Sequence, residues 1–432
     1  MQGEKLLSLL KAQNLSGDVY SEKRINHSVA FENNRFKAVE TNESSGSGLR
    51  IKNLKGQEGF SYGNQETPLI LEKALALSQF GDKAEYEFPS SLKIEKTPQL
   101  SSPSVLNLQA RDLINEGQRG IETLLKAFPN LNISIGLDWG SQTISFLNSN
   151  GIKASYDKTF FSASVVAMKA ENQEILETYE YFISHQYQDI LAPLINRVLA
   201  SLNHASQKAS VPSGFYPVLF TPKALRSFID ILLTGFNGKL IEKKVSPILE
   251  LLGKQGASPL LSLIDTGYHP ELAGNTPFDG EGIATQDKFL IEKGVFKQGV
   301  FDLKTAQKTK NTPLGNAKRG FASLPSPGFH NLIVQPGTQS LQDILQNVNT
   351  GIVVDQFLGA GMSNVMAGEF SANIDLGYVI QKGQIVGRIK DTMVSGNVFD
   401  MAKKITAISK EQIPYGSSLF SWVLFDGVQA SC

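Results

Sequence analysis

The sequence predicts an α+β protein: an N-terminal α/β domain with an antiparallel meander and packing helices, then a C-terminal mainly antiparallel β domain. Three observations predict it. Between residues 132 and 184 apolar and polar residues alternate with period two, while residues 105–128 and 189–205 on either side repeat at helical spacing. Beyond residue 240 the chain is mostly strand and turn. The 38 glycines suit a turn-rich β architecture better than a helical bundle.

Taken in order, Leu6, Leu7, Leu9 and Leu10 give the opening helix an apolar side, with Glu4, Lys5 and Lys11 around it. These charges interrupt the apolar run of about 7–15 residues that a signal peptide needs. Two strands flank Asn33-Asn34, which tolerates the positive φ of a tight hairpin. A second hairpin, GLRIKNLKGQEGFSYG, turns at Lys55-Gly56, and a helix follows over residues 67–80. The connector FPSSLKIEKTPQLSSPS is too polar and proline-broken to be regular. A longer helix spans residues 105–128, carried by Leu106, Ala110, Leu113, Ile114, Ile121, Leu124, Leu125 and Phe128. NISIGLDWG, QTISFLNSNGIKASY, TFFSASVVAMKA and EILETYEYFIS form the meander, with Asn150-Gly151 as one turn, before a helix at 189–205. Helix, hairpins and helix thus occur twice, the pattern of a degenerate internal duplication.

Residues 206–214 are polar and aperiodic, which places a boundary between domains 1–208 and 209–432. FYPVLF is a strand. Thr221 then caps a helix with Pro222 at its first position, and Leu225, Phe228, Ile229, Leu232, Leu233 and Phe236 form its apolar stripe until Gly235 and Gly238 end it. FLIEKGVFKQGVF and YVIQKGQIVGRI share one design, two strands about a Lys-Gly turn, and short helices are expected near 341–347 and 398–408.

Composition limits function. Lys+Arg and Asp+Glu are 41 each, so nothing favours a direct nucleic-acid partner. No apolar run nears the roughly 18 residues that cross a bilayer. The single cysteine, Cys432, closes no disulfide within the chain, and a cytoplasmic setting is expected. Gly359-Ala360-Gly361 has Asn364 where a dinucleotide loop needs glycine, and a strand-like stretch follows, so a phosphate loop is not supported. His27, His185, His204, His269 and His330 form no pair at metal-ligand spacing.

The densest acidic stretch, LIDTGYHPELAGNTPFDGEG, gathers Asp265, His269, Glu271, Asp279 and Glu281. Its carboxylates could hold a cation or do acid–base work, or could cap backbone N–H groups of a turn-rich loop; the absence of calcium-loop spacing favours capping. Lys304, Lys308, Lys310, Lys318 and Arg319 could hold a carboxylate or phosphate, but their spread over sixteen residues favours a solvated surface.

PFDGEG (277–282), FLIEKGVFKQGVFD (289–302), TPLGNAKRG (312–320) and GAGMSNVMAGEFSANIDLGYVIQKG (359–383) together resemble the TldD/PmbA (TldE) family, often labelled modulator of DNA gyrase. The resemblance is specific in residues 215–432 and extends loosely over the first domain through GSGLRI. It implies a two-domain α+β protein of bacterial or archaeal peptide hydrolysis, in which a zinc-bearing TldD-type subunit pairs with a metal-free PmbA/TldE-type subunit. Zinc subunits of the family carry His-Glu-x-x-x-His on the helix after the FYPVLF strand. Aligned on Gly235 and Gly238, Ile229 and Thr234 here stand at the histidines and Asp230 at the glutamate base. The family's further cysteine ligand has no counterpart, since Cys432 comes too late. Ile229 has no lone pair to give and Thr234 is a poor ligand. The resemblance therefore implies a PmbA/TldE-type subunit without zinc in this chain, catalytically incomplete. It would partner a TldD-type zinc subunit or self-associate as a dimer, help cleave extended, unfolded or short peptides, and have Asp265, Asp279 and Glu281 as candidate cleft residues. The alternatives are a self-sufficient hydrolase using the 265–281 carboxylates with another cation, and a modulator that binds gyrase or another protein partner.

Overall fold

The computed structural model describes all residues except 96–97, 172–173 and 361–363. The first half runs α1 (Glu4–Ala12), β1 (Ser16–Glu32), β2 (Arg35–Lys52), β3 (Glu58–Gly63), α2 (Pro68–Ser78), α3 (Pro103–Leu106), α4 (Ala110–Ala127), β4 (Asn132–Asn148), β5 (Lys153–Glu171), β6 (Glu174–Ser184) and α5 (Leu191–His204). Among the described residues six strands form one antiparallel sheet in the order β3-β2-β1-β4-β5-β6. Two three-stranded meanders, each bracketed by helices, thus meet back to back at β1 and β4, the arrangement that a duplication would produce.

Asn33 and Asn34 turn β1 into β2 with φ of 52° and 65°. Asn34 also ties this turn to the start of β4, accepting from the Ile133 N–H at 2.7 Å and donating to the Leu131 carbonyl at 2.8 Å. Because side chains alternate along a strand, the odd-numbered residues of β1 and β4 (Val19, Val29, Ile133, Ile135, Leu137, Leu147) meet the helices. The even-numbered ones (Asp18, Tyr20, Glu22, Ile144, Phe146) face the second half of the chain.

Two expectations are corrected here. NISIGLDWG and QTISFLN are one continuous strand, since unbroken pairing of β4 with β1 and β5 carries through Gly140. The helix expected over 105–128 is split into α3 and α4, with residues 107–109 between them. The connector 88–104 is irregular up to α3 where described, and residues 96–97 within it lie outside the described residues.

The second half runs β7 (Gly214–Phe220), α6 (Pro222–Thr234), α7 (Gly238–Glu242), β8 (Leu263–Thr266), β9 (Lys288–Glu292), β10 (Val295–Phe296), α8 (Leu303–Thr309), β11 (Ala317–Lys318), β12 (Ser326–Pro327), β13 (Asn331–Val334), α9 (Leu341–Gln346), β14 (Thr350–Leu358), β15 (Glu369–Gln381), β16 (Gln384–Arg388), β17 (Met393–Asn397), α10 (Val398–Lys403), β18 (Ile405–Tyr415) and β19 (Ser418–Ser431). The large sheet is mainly antiparallel; β7 with β14 and β13 with β19 are parallel pairs. Since β7 pairs with both β14 and β19, the strands β7, β14, β15, β17 and β19 close into a ring.

Thr221 accepts from the Ala224 N–H and caps α6, as its position before Pro222 predicts. The apolar face of α6 packs on the ring: Phe228 lies 5.0 Å from Phe425 and 6.2 Å from Phe220, ring to ring. Gly238 does not end this helix but begins α7, where Asn237 supplies the cap. The helix expected over 398–408 stops at Lys403, because Ile405, Ala407 and Ile408 pair with β19 instead. The two Lys-Gly turns are alike in detail: Lys293 and Gly294 have φ of 46° and 81°, Lys382 and Gly383 48° and 78°. Both residues of each turn are left-handed, which matches the twist of the strands they join.

Phe228 is fully buried within this aromatic cluster. The substitution Phe228→Ala should lower unfolding free energy by about 3–5 kcal/mol, read as a fall in the urea midpoint at unchanged slope.

Candidate functional site

The loop PFDGEG docks the second half of the chain onto the even-numbered face of the first sheet. Phe278 packs with Tyr20, Ile144, Phe146 and Ile152, and its ring stands edge-on to Tyr156 at 5.1 Å. Two glycines permit the approach. Gly282 has φ of 76°, and a Cβ there would meet the Phe146 ring at 2.3 Å. At Gly48 on β2 a Cβ would fall 2.1 Å from the Phe321 carbonyl oxygen.

Charged groups fill the rest of this seam. Arg50 donates to both neighbouring carboxylates, through Nε and Nη2 to Asp18 and through Nη1 to Glu281 at 2.6 Å. Arg319 Nη1 donates to the other Asp18 oxygen at 2.7 Å. All four side chains are buried. Glu281 also accepts from the Leu303 N–H at 2.6 Å. Asp279 accepts from the N–H groups of Glu281, Ile283 and Ala317 at 2.9, 3.0 and 2.9 Å. Asp265 accepts from the His330 N–H at 2.6 Å, from Asn316 at 2.7 Å and from Lys288 at 3.1 Å.

Environment separates these carboxyls. Burial pushes Glu281 up to about 7, with Asp279 and Asp302 adding to the rise and Arg50 opposing it. Burial likewise pushes Asp279 up to about 6 against its three N–H donors. For Asp265 burial acts upward too, but Lys288, His330 and Asn316 outweigh it and hold the carboxyl below its ordinary value. Asp18 is held low in the same way by Arg319 and Arg50.

The structure therefore places Asp279 and Glu281 at the seam and Asp265 within the second half, each enclosed and each spending its oxygens on protein donors. Of the three, Asp279 lines a small cavity of about 170 Å³. The expected solvated basic surface holds for Lys308, Lys310 and Lys318, which are exposed, and for half-buried Lys304; it is corrected for Arg319 alone. Lys304 pairs with Asp82 and Lys308 with Glu242 at the surface, whereas Arg319 is buried on Asp18. Lys318 is exposed along its stem and turns its ammonium inward to His330 Nδ1 at 2.8 Å, where desolvation and neighbouring Lys158 lower its pKa. His330 is buried and held neutral, its pKa pushed to about 3 by burial and by Lys318, while its Nε2 donates to the Gly315 carbonyl at 2.5 Å.

A wider cleft of about 620 Å³ lies along α6, and Arg226, Asp230, Leu233 and Thr234 line it. Ile229 points the other way, 1% exposed, into the core. Both Asp230 oxygens accept from Arg226 Nε, at 2.8 and 2.9 Å, and Arg226 Nη1 donates to Ser418 Oγ at 2.8 Å. Thr234 Oγ1 donates to the Asp230 carbonyl at 3.3 Å. The family-implied zinc does not fit these residues: the first ligand position is an alkyl group turned from the cleft, and the would-be base is bound to a guanidinium. Among the described residues no three His, Cys, Asp or Glu side chains converge as a metal-ligand group. Gly361 of the discounted phosphate loop lies outside the described residues; strand β15 follows it.

The sequence reading missed Arg50, Asp18, Lys288 and Lys223. Lys223 is buried between Glu180 at 3.1 Å and Asp355 at 2.9 Å, a further, buried ionic tie between the halves. One signal for Arg50 was available. In Gly-Leu-Arg-Ile it alternates with buried Leu49 and Ile51, which reads as a solvent face unless another layer covers it.

Two domain models match the chain: one described as PmbA/TldA metallopeptidase C-terminal domain over residues 213–431, the other as PmbA/TldA metallopeptidase domain 1 over residues 17–78. An uncharacterized protein of Methanocaldococcus jannaschii is 26% identical, covering 94% of each chain. A metalloprotease PmbA homolog of Buchnera aphidicola is 23% identical, covering 98% of this chain and 95% of its own. The crystal structure of TldE from Thermococcus kodakarensis superposes with a TM-score of 0.91 over 99% of both chains at 21% identity, a likeness of fold.

Two outcomes are expected. Ile229→His puts an imidazole in an apolar core and should cost about 2 kcal/mol or more in urea denaturation, without raising zinc uptake in metal analysis. For Glu281, the folded pKa lies above the unfolded one, so the folded state holds the extra proton between about pH 4.3 and 7. This carboxyl therefore costs nothing at pH 4, and its cost grows as pH rises through 7. The variant Glu281→Gln should show a smaller loss of stability than the parent between pH 5 and 7.5.

Proposed function

As this chain belongs to the PmbA/TldD metallopeptidase family, we propose that it is the PmbA/TldE-type, zinc-free subunit of a two-subunit peptidase, with domains at 1–208 and 209–432. Its role is to complete or gate the chamber in which a TldD-type zinc subunit cuts short or unfolded peptides. One observation carries the reading. The cleft-facing stripe of α6 offers Arg226, Asp230 and Thr234, while Ile229, at the first ligand position, belongs to the core. A metallopeptidase needs a Lewis acid that lowers the pKa of its bound water, and this stripe has no donor set to hold one. What remains is a polar wall that could line a peptide path, with sheet edges able to take an extended strand. The carboxylates of the self-sufficient alternative already accept hydrogen bonds from protein donors.

The test is to express this chain alone and together with a TldD-type zinc subunit from the same genome. Alone, it should hold no stoichiometric transition metal and should not cleave peptides. Together, the two should co-elute, with zinc and chelator-sensitive cleavage that exceed those of the zinc subunit by itself. Tightly held metal with hydrolysis by this chain alone would overturn the reading, as would failure to associate with no change in activity.

A further inference from the structure

The 170 Å³ cavity at the seam carries its own chemistry. Glu22 and Lys158 of the first sheet line one side; Asp279, Lys318 and Arg319 line the other. Arg319 spends only Nη1, on Asp18 at 2.7 Å and on the Gly280 carbonyl at 3.4 Å. Its Nε and Nη2 are buried and have no hydrogen-bond partner among the described residues. These two N–H groups project in parallel from the same edge of the guanidinium. That edge is the fork that takes both oxygens of a carboxylate or two of a phosphate.

Nothing beside the fork supplies those oxygens. Tyr20 and Phe60 place their rings 5.5 and 5.9 Å from Cζ. Asp18 is already shared with Arg50. Asp279 is turned to three backbone N–H groups. Glu22 accepts from Tyr20, Gln142 and the Phe321 N–H, each at 3.4 Å. Lys158 makes neither a hydrogen bond nor an ion pair among the described residues. Leaving a buried donor unmet is costly, so two on one edge, beside a polar cavity and an ammonium that feels Glu22 but makes no hydrogen bond, point to a ligand.

We propose that this cavity binds a small oxyanion, a carboxylate or a phosphate, gripped by Nε and Nη2 of Arg319 and by the Lys158 ammonium. The site is a property of this chain and does not rest on the subunit reading. Its test uses the full-length protein without a partner, so the two succeed or fail separately.

Calorimetric titration at pH 7 and fixed ionic strength takes inorganic phosphate in one arm. The other arm takes an N-acetylated dialanine with a free C-terminal carboxylate, with its amide as control. Saturable binding of one anion per chain is expected from at least one arm. Binding of phosphate alone assigns a phosphate site, and binding of the acid but not the amide assigns a peptide or metabolite carboxylate. Lys158→Met should weaken binding at least about tenfold, the loss of one charge-assisted hydrogen bond, with an unchanged melting temperature. Arg319→Lys keeps a cation beside Asp18 but removes the fork, and should abolish binding. No binding at millimolar anion, equal binding of acid and amide, or wild-type affinity in Lys158→Met would each overturn the proposal.

Discussion

The fold depends on charge buried where the two sheets meet. Arg50, near the end of β2, must find carboxylates once the second half of the chain covers it, and Asp18 and Glu281 supply them from opposite sides of the seam. Such a pair adds little net stability over an apolar contact of the same shape, because both ions lose water. Its effect is on specificity. Any other docking of PFDGEG would strand Arg50 or Glu281 in a low-dielectric interior, at a cost of several kcal/mol. The register between halves 231 residues apart in sequence is therefore set by electrostatics as much as by the packing of Phe278 on Phe146.

The same seam explains why the acidic loop does not resemble a reaction centre on close inspection. Asp265, Asp279 and Glu281 are enclosed by backbone N–H groups and cations, and the turn that presents N–H groups to Asp279 brings Gly280 close to Ala317 and Arg319 and Gly282 close to Phe146. Unused donors stand instead on one edge of Arg319, and the open cleft lies along α6.

Helix α6 divides the molecule in another sense. Its apolar face joins the ring of β7, β14, β15, β17 and β19, and its polar face borders the wide cleft. Ile229 and Thr234, five residues apart, lie on different faces of a helix of 3.6 residues per turn. An aliphatic residue at 229 is satisfied by the core, whereas Asp230 one residue on is at the rim and takes Arg226 as its partner. The misfit of these residues to a zinc ion thus follows from packing as well as from the absence of imidazoles.

Much was legible from residues alone. Period two, the Asn-Asn, Lys-Gly and Asn-Gly turns and the Thr221-Pro222 start of α6 report local conformational preferences, which the sequence carries in short windows. The motifs carried the family. What the windows could not hold was partnership across the chain. The alternation around Arg50 is the same whether water or Glu281 faces it, and Arg319 reads as one more cation in a basic stretch until Asp18 lies beside it. Residues 405–408 read as helix until β19 offers them hydrogen bonds. Local backbone chemistry is written in the sequence, but the burial of a charge depends on what covers it, and only the tertiary structure decided that.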